Sequence, residues 1–300
     1  MSFSIFVLAS HYYKWHHGEV HYHKRGMGDP LVLVHNVYPG ASHEEFARNI
    51  PELARHFTVY ALDLLGFGQG DLPRLKYRAQ TYVELIFDFL REEVARPAHV
   101  VSTGLSCAYV TEVAAWRPNL FDKLVFICPR SEPVGLDTPR WFAPIQRFFL
   151  STPPLGNGFF QTIAGEHELR RYLGNCFYSA KAISPETVAR LIDNALQPGS
   201  IYPLAALATG YLDWDLLANL PRVDLPLLLL WGRNARPTPV EHGVRLAALA
   251  RQCRFEVIDC AGSWVHDEQS AKVNALITGY LNDTLPAADN AAAPRRAAGA

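Results

Sequence analysis

The sequence is poor in the features that mark secreted, membrane-spanning or nucleic-acid-binding proteins. Only five cysteines occur in 300 residues. They are widely spaced and form no Cys-x-x-Cys pair, which excludes a zinc knuckle and a dense disulfide framework. The net charge of −1 offers no concentrated positive surface, so we expect neither nucleic acid nor an anionic membrane as the main partner. No apolar run reaches the ~18 residues that span a bilayer.

The two ends of the chain carry little structural information. The first ten residues, MSFSIFVLAS, are apolar but lack the basic residues that open a signal peptide. We therefore expect a cytoplasmic protein with reduced cysteines. Residues 286–300 are rich in alanine and proline without periodicity, which predicts a disordered tail.

What the chain does contain is enough apolar sequence for a large core, with 49% hydrophobic and 19% charged residues. Short apolar runs alternate with amphipathic stretches, which predicts a doubly wound, mostly parallel α/β sheet. The alternation stops between residues 132 and 220, where the chain reads as helical and aromatic. We predict one discontinuous α/β core, residues 1–131 and 221–285, interrupted by a helical cap. The predicted strands cover 31–34, 57–63, 99–103, 123–128, 225–231 and 255–259, and the predicted helices 44–55, 82–94, 108–116 and 270–281.

The segment Tyr12–Lys24 alternates around Gly18 and predicts a hairpin at the sheet edge. It carries four histidines, His16, His17, His21 and His23. His21 and His23 share one strand face, so a metal pair is conceivable. A solvated hairpin is the favoured interpretation, because no carboxylate or cysteine completes a ligand set.

The stretch Ala98–Val110, AHVVSTGLSCAYV, predicts a buried strand, a tight turn and a helix. This is the setting of the nucleophile elbow, G-x-S-x-G, in which the serine lies on a strained turn. Residues 102–106 fall on that pattern, yet both pattern glycines are serines, and the central serine is Gly104.

Four further segments stand out along the chain. LVLVHN and DLLGFGQ precede the elbow, and LLLLWGRNA and CAGSWVHDEQ come after it. With the elbow they resemble the α/β-hydrolase superfamily over roughly residues 12–284. The resemblance implies a mostly parallel sheet of the α/β-hydrolase type with an inserted helical cap at 132–220. It also places the catalytic nucleophile on Gly104, the acid on Ala235 and the histidine on Ser263. None of these side chains can perform its role, so serine-hydrolase activity is not expected.

A second alignment puts the nucleophile on Ser106. Counting helix turns favours Gly104, because Pro118 then lies about four turns of ~3.6 residues beyond the elbow. Other substitutes stay open. Cys107 is either a reactive thiol or a packing residue. His266 and Asp267 either replace the missing histidine or, as we favour, lie at the surface or one layer behind the site. Glu132 is either a displaced acid or a charge at the cap entrance, and Asp63 is expected to order its own loop. Arg233, Asn234 and Arg236 either line the pocket or form a solvated turn.

The resemblance leaves an oxyanion hole built from the backbone N–H groups of Val37 and Leu105. Loss of the triad side chains predicts an enlarged apolar cavity that takes a small apolar molecule with one polar end, unless the cavity fills itself. The alternatives are an interaction module, a lyase, isomerase or cofactor-free oxygenase, and a hydrolase with its nucleophile at Ser106 or Cys107. No metal or cofactor is expected, and no protein partner can be named. The expected pocket residues are His35, Asn36, Val37, Tyr38, Gly104, Leu105, Trp141, Ser263 and Trp264.

Overall fold

The computed structural model describes residues 9–131, 143–150 and 165–285. One eight-stranded sheet runs through it in the order β1-β2-β4-β3-β5-β6-β7-β8. The first two strands form an antiparallel hairpin, β2 pairs antiparallel with β4, and all other neighbours are parallel. The strands are β1 Ala9–Trp15, β2 Gly18–Arg25, β3 Pro30–Val34, β4 Thr58–Leu62, β5 Ala98–Thr103, β6 Phe121–Ile127, β7 Leu227–Gly232 and β8 Cys253–Ile258. The predicted doubly wound α/β sheet is confirmed.

The central strands are buried on both faces, as their apolar sequences predict. Every residue of β3, β5 and β7 is buried, because helices cover the two sides of the sheet. The carboxyl ends of these strands meet at one edge, where the loops after β3, β5, β7 and β8 come together. In open α/β sheets ligands bind at this edge.

The described helices are α1 Ile50–Leu53, α2 Ala79–Asp88, α3 Ser106–Trp116, α4 Ala143–Leu150, α5 Glu166–Cys176, α6 Pro185–Ala195, α7 Ile201–Ala208, α8 Leu216–Asn219, α9 Val240–Leu249, α10 Val265–Glu268 and α11 Ser270–Leu281. A π-helical turn, Phe89–Val94, continues α2. None of the helices in the described ranges is both long and apolar enough to cross a membrane.

The single helix predicted for residues 44–55 is wrong. The chain forms a 3₁₀ turn at His43–Phe46, capped by the Ser42 hydroxyl, and then the short helix α1. Pro51 explains the break, because proline has no N–H to donate into a continuous helix and is tolerated only in the first turn. This irregular backbone lies beside the carboxyl edge of the sheet, where it presents His43 and Glu45 inward.

The solvated state predicted for His21 and His23 is also wrong. His21 is 0% and His23 8% exposed, because β2 lies between β1 and β4 and this face of the hairpin is covered. His16 and His17, at the hairpin turn, are exposed as predicted.

Helices between β6 and β7 pack directly on the loops at the carboxyl edge. The Cys176 carbonyl, at the end of α5, accepts a hydrogen bond from Ser263 N at 2.8 Å. A Cβ on Gly262 would lie 2.0 Å from that same carbonyl oxygen, so only glycine permits the approach. Residues 132–142, 151–164 and 286–300, which include Glu132, Trp141 and the predicted tail, lie outside the described residues.

Candidate functional site

The elbow is built as the sequence predicts. Strand β5 ends at Thr103, Gly104 turns with φ +52°, and α3 begins at Ser106. A left-handed residue between a parallel strand and a helix is the geometry of a nucleophile elbow. At this position the side chain of a nucleophile would point into the site, and glycine supplies none.

The two backbone N–H groups predicted to form an oxyanion hole both donate to the side chain of Asn36. The Asn36 side-chain oxygen, Oδ1, accepts a hydrogen bond from Val37 N at 2.8 Å and one from Leu105 N at 2.8 Å. These are the two backbone donors that the sequence predicts for the hole. The amide oxygen of Asn36 therefore stands where the oxygen of a substrate carbonyl would be bound.

Asn36 also occupies the space of the missing nucleophile. A Cβ built on Gly104 would lie 2.3 Å from Asn36 Cγ and 2.3 Å from its Oδ1, far inside van der Waals contact. Asn36 and a side-chain-bearing residue at 104 thus exclude each other in this arrangement.

The other two positions of the predicted triad also lack the required groups. Ala235 is buried after β7 and carries no charge. Ser263 follows β8, and its backbone N–H and hydroxyl both donate to the Cys176 carbonyl, the hydroxyl at 3.3 Å. Ser263 therefore joins the core to α5, and it has no group that can act as a base near neutral pH.

A buried acid that the sequence reasoning missed lies at the centre of the site. Glu45 Oε1 accepts from the Thr103 hydroxyl at 2.6 Å, and Oε2 accepts from Asn36 N at 3.2 Å. His266 Nε2 lies 3.5 Å from Glu45 Oε1. His266 is 1% exposed, so the predicted surface position is wrong. The short helix α10 turns its side chain inward instead of aside.

Burial controls the protonation of this pair. Burial raises the pKa of Glu45 to about 7, although hydrogen bonds from Thr103 and Asn36 oppose the shift. Burial lowers the pKa of His266 to about 3. At neutral pH the histidine is therefore neutral and the glutamic acid lies near its midpoint. An acid with a pKa near 7 is equipped to give or take a proton at physiological pH.

These groups line a small cavity of about 50 Å³. That volume holds a few water molecules, whereas pockets for drug-sized ligands measure about 300–1,000 Å³. The walls mix polar and apolar groups, so the enlarged apolar cavity expected from the sequence is not present among the described residues. Its lining is Asn36, Glu45, Thr103, Gly104, Ile127, Cys128, Arg130, Tyr172, Cys176, Pro237, Thr238, Ser263, Trp264 and His266.

Comparison with protein families matches residues 31–276 to the model described as "Alpha/beta hydrolase family". The chain belongs to the alpha/beta hydrolase family. Two similar proteins are named 2-hydroxy-6-oxononadienedioate/2-hydroxy-6-oxononatrienedioate hydrolase. The one from Paraburkholderia xenovorans is 25% identical, over 88% of this chain and 90% of its own length. The one from Cupriavidus pinatubonensis is 23% identical, over 88% of this chain and 91% of its own length.

Solved structures show the same fold. A meta-cleavage product hydrolase from Pseudomonas fluorescens, a serine-to-alanine variant complexed with acetates, has a TM-score of 0.71 at 22% identity. The match covers 89% of this chain and 96% of that one. A 2-hydroxy-6-oxo-6-phenylhexa-2,4-dienoate hydrolase from a Rhodococcus strain has a TM-score of 0.74 at 20% identity, over 92% of this chain and 99% of that one.

The structure places the described residues of the predicted pocket in four different settings. Asn36, Gly104, Ser263 and Trp264 line the cavity, and Val37 and Leu105 contribute only backbone N–H groups to the hole. Tyr38 is buried beside a second small cavity that also contacts Glu45 and Trp264. His35 does not reach the cavity, because its ring contacts the Asn36 carbonyl through Nδ1 and accepts from Leu64 N through Nε2.

The proposed replacement nucleophiles are placed unfavourably. The Ser106 hydroxyl is fully buried and donates to the His35 carbonyl at 2.6 Å. Burial raises the pKa of the Cys107 thiol well above its ordinary value, so it is no thiolate at neutral pH. Two cavity-lining thiols that sequence reasoning passed over, Cys128 and Cys176, have pKa values raised by burial to about 12 and about 11.

The remaining charged candidates serve structural contacts. Arg233 pairs with Asp259 at the surface, and Arg236 donates to the Gly174 carbonyl, so both lie in a solvated turn. Asp267 pairs with Arg48. Asp63 accepts from Gln69 N at 3.0 Å and thus orders its own loop, as predicted.

Proposed function

We propose that this alpha/beta hydrolase binds a small molecule and does not hydrolyse one through a serine nucleophile. Gly104, Ala235 and Ser263 stand at the three positions of the triad, and none supplies a nucleophile, an acid or a base. The two serine or cysteine replacements next to the elbow are buried, and no base contacts either one within the described residues. Residues 132–220 act in this proposal as the cap over the binding site.

The observation that carries the proposal is the double hydrogen bond to Asn36 Oδ1. A substrate carbonyl needs the N–H groups of Val37 and Leu105 in order to be polarised. In this chain a built-in amide satisfies both donors. This arrangement favours binding by exchange, in which the oxygen of a ligand displaces the Asn36 side chain from the two N–H groups.

The walls of the cavity indicate what that ligand is. Tyr172, Trp264 and Ile127 provide apolar surface, and Asn36 and Thr103 lie at the polar end. We infer a small apolar molecule with one carbonyl or carboxylate group. The names of the related hydrolases describe keto acids that carry such groups, and the related serine-to-alanine variant was solved with acetates. Entry requires the Asn36 side chain to turn away, because the present cavity is too small.

Two assays on the full chain test the proposal. A fluorophosphonate probe should leave the protein unlabelled, and p-nitrophenyl acetate should turn over no faster than in buffer. Stoichiometric labelling that disappears in Ser106→Ala or Cys107→Ala would instead establish a relocated nucleophile. The fourfold variant Asn36→Gly, Gly104→Ser, Ala235→Asp, Ser263→His should gain esterase activity, since it restores the triad and clears the space for it.

A second function is favoured by one specific feature, the convergence of Glu45, Thr103 and His266 in the cavity. Glu45, with its pKa near 7, is suited to proton abstraction, the step that lyases and isomerases share. Solvent-deuterium exchange into small ketones, lost in Glu45→Gln, would support this second function. No exchange above buffer in the wild-type chain would exclude it.

A further inference from the structure

Three buried histidines converge beneath the hairpin, away from the elbow. His21 and His23 alternate along β2 and therefore project from the same face of the strand. His43, at the start of the 3₁₀ turn after β3, meets them from the other side. The three are 0%, 8% and 4% exposed, and one ring nitrogen from each lies within 4.8 Å of the other two.

A single carboxylate orients two of these rings. Asp63 follows β4, and its Oδ2 accepts from His21 Nδ1 at 2.8 Å while its Oδ1 accepts from His43 Nδ1 at 2.9 Å. Backbone N–H groups of His43 and Gln69 also donate to it, at 2.6 and 3.0 Å. With four donors the carboxylate is fully occupied and its position is fixed.

This hydrogen bonding decides which nitrogen of each ring carries a lone pair. Because Nδ1 of His21 and of His43 donates to Asp63, the neutral ring bears its lone pair on Nε2. His21 Nε2 is buried and has no hydrogen-bond partner among the residues that the structure describes. A buried acceptor in this state calls for a ligand.

We propose that His21, His23 and His43 bind one divalent transition-metal ion of the zinc class, oriented by Asp63. Metal-bound histidines characteristically donate their second ring nitrogen to a carboxylate, which fixes tautomer and ring direction. Imidazole nitrogens suit Zn²⁺, Co²⁺, Ni²⁺ and Cu²⁺, whereas Mg²⁺ and Ca²⁺ require oxygen ligands. Asp63, the carboxylate that contacts two of the rings, is already committed to its four donors.

The required adjustment is small. At metal–nitrogen distances of about 2.0–2.1 Å, tetrahedral ligands are about 3.4 Å apart. One nitrogen from each ring already lies within 4.8 Å of the other two, and the ring centroids are 4.4, 4.8 and 5.3 Å apart, so the rings are close enough for small rotations to bring their nitrogens around one ion. Three protein ligands leave a fourth position for water or another small ligand.

The site links two parts of the fold that the backbone does not join. It fastens the hairpin strand β2 to the turn at His43–Phe46, which also carries Glu45. Binding of the ion is thus expected to stiffen the turn next to the cavity. The proposal does not depend on whether the elbow is catalytic.

Zinc alone, added to the full chain without a polyhistidine tag, tests the site. Equilibrium dialysis with elemental analysis should find one equivalent of zinc, and the ion should raise the melting temperature. His23→Gln and His43→Gln should abolish both effects, and Asp63→Asn should weaken binding about 10- to 100-fold. The matched control is His16→Gln with His17→Gln, which removes two exposed histidines of the same hairpin and should change nothing.

A measurement on the wild-type chain keeps the test independent of how the variants fold. Cobalt bound at the site should give the intense visible absorption of a tetrahedral centre, and zinc should displace it. X-ray absorption of the zinc form should show imidazole nitrogens at about 2.0 Å. Three results would each overturn the proposal. They are substoichiometric zinc, an X-ray absorption spectrum without imidazole scattering, and binding that is lost only in the His16/His17 control.

Discussion

The elbow and the histidine cluster differ in how their polar groups are satisfied. At the elbow the backbone N–H groups of Val37 and Leu105, the predicted oxyanion-hole donors, both donate to the side-chain oxygen of Asn36. In the cluster, Asp63 holds two histidines by one nitrogen each, and His21 Nε2 is left buried without a partner among the described residues. The polar groups of the first region satisfy each other, whereas the second region keeps a buried acceptor that the proposed ion would bind.

In this chain the resemblance to the family and the groups arranged for ligand binding lie in different regions. The elbow carries the family's architecture in strand, turn and helix, yet its chemical groups satisfy each other. The three histidines of the cluster belong to none of the motifs that carry the resemblance, yet they have the orientation that the proposed ion requires. Function follows from the site and not from the fold.

The largest effect is expected from a substitution that disrupts the packing of Asn36 against Gly104 at the elbow. Gly104→Ser should destabilise the protein by about 3–4 kcal/mol, because its Cβ meets the Asn36 amide at 2.3 Å and a left-handed backbone strains any side chain. Urea unfolding measures the loss. Gly174→Ser is the matched control, since a Cβ there has nothing within 4 Å.

A second substitution, at Asn36, should restore part of the stability that Gly104→Ser removes. In the double variant Asn36→Gly, Gly104→Ser, the part of the loss that comes from the clash with the Asn36 amide should return, giving a coupling energy above about 1 kcal/mol between neighbouring sites. Additive losses would show that Asn36 does not occupy the space of the nucleophile.

The next effect concerns Glu45, whose pKa burial raises to about 7 from 4.5. Between these values the folded state binds a proton that the unfolded state has released, so stability falls as pH rises through this window. The cost by pH 8 is at most about 3 kcal/mol. Melting temperatures of the wild type and Glu45→Gln should therefore diverge between pH 5 and about 8, with the variant gaining. Glu44→Gln, one residue away with a solvent-accessible side chain, should keep the wild-type profile. Parallel profiles for wild type and Glu45→Gln would contradict the assignment.

The histidine cluster should respond to its ion by a smaller amount. Zinc at about 100 times its dissociation constant should stabilise the chain by about 2.7 kcal/mol, and removal by a chelator should reverse the gain. Calorimetry with and without zinc measures it. An equal gain with Mg²⁺ would point to a nonspecific salt effect and count against an imidazole site.

The smallest effect is expected from a substitution that frees the two N–H groups without adding a nucleophile. Asn36→Gly exposes the N–H groups of Val37 and Leu105, at a cost of about 1 kcal/mol, and should create a binding site for acetate. Titration followed by NMR of the two amide signals measures it. Asn234→Gly, the same change in an exposed turn, should bind no acetate. Acetate bound equally by the wild type would mean that Asn36 does not block the hole.

Much of the fold could be predicted from the sequence, because its signals are local. Continuous apolar runs mark β3, β5 and β7, and Gly104 between an apolar strand and a helix marks the elbow. The donors Val37 and Leu105 followed from the resemblance, and the structure places both on Asn36. The helix predicted over 44–55 failed because Ser42 and Pro51 favour two short turns.

The buried charges could not be predicted, because long-range contacts create them. Glu45 follows Glu44 in a polar stretch that reads as a solvated face, and only packing against Thr103 and His266 buries it. His43 is twenty positions from Asp63 and lacks any spacing typical of metal ligands. The alternation of His21 and His23 was the single available signal, and it gave two ligands of three.

Asn36 accepts from both predicted oxyanion-hole donors, Val37 N and Leu105 N. A crystal structure of the wild-type chain, with no ligand added, tests this arrangement directly. We expect Asn36 Oδ1 within hydrogen-bond distance of both N–H groups, with no other atom between them. A rotated Asn36, with a water or an anion bound to the two N–H groups, would contradict it.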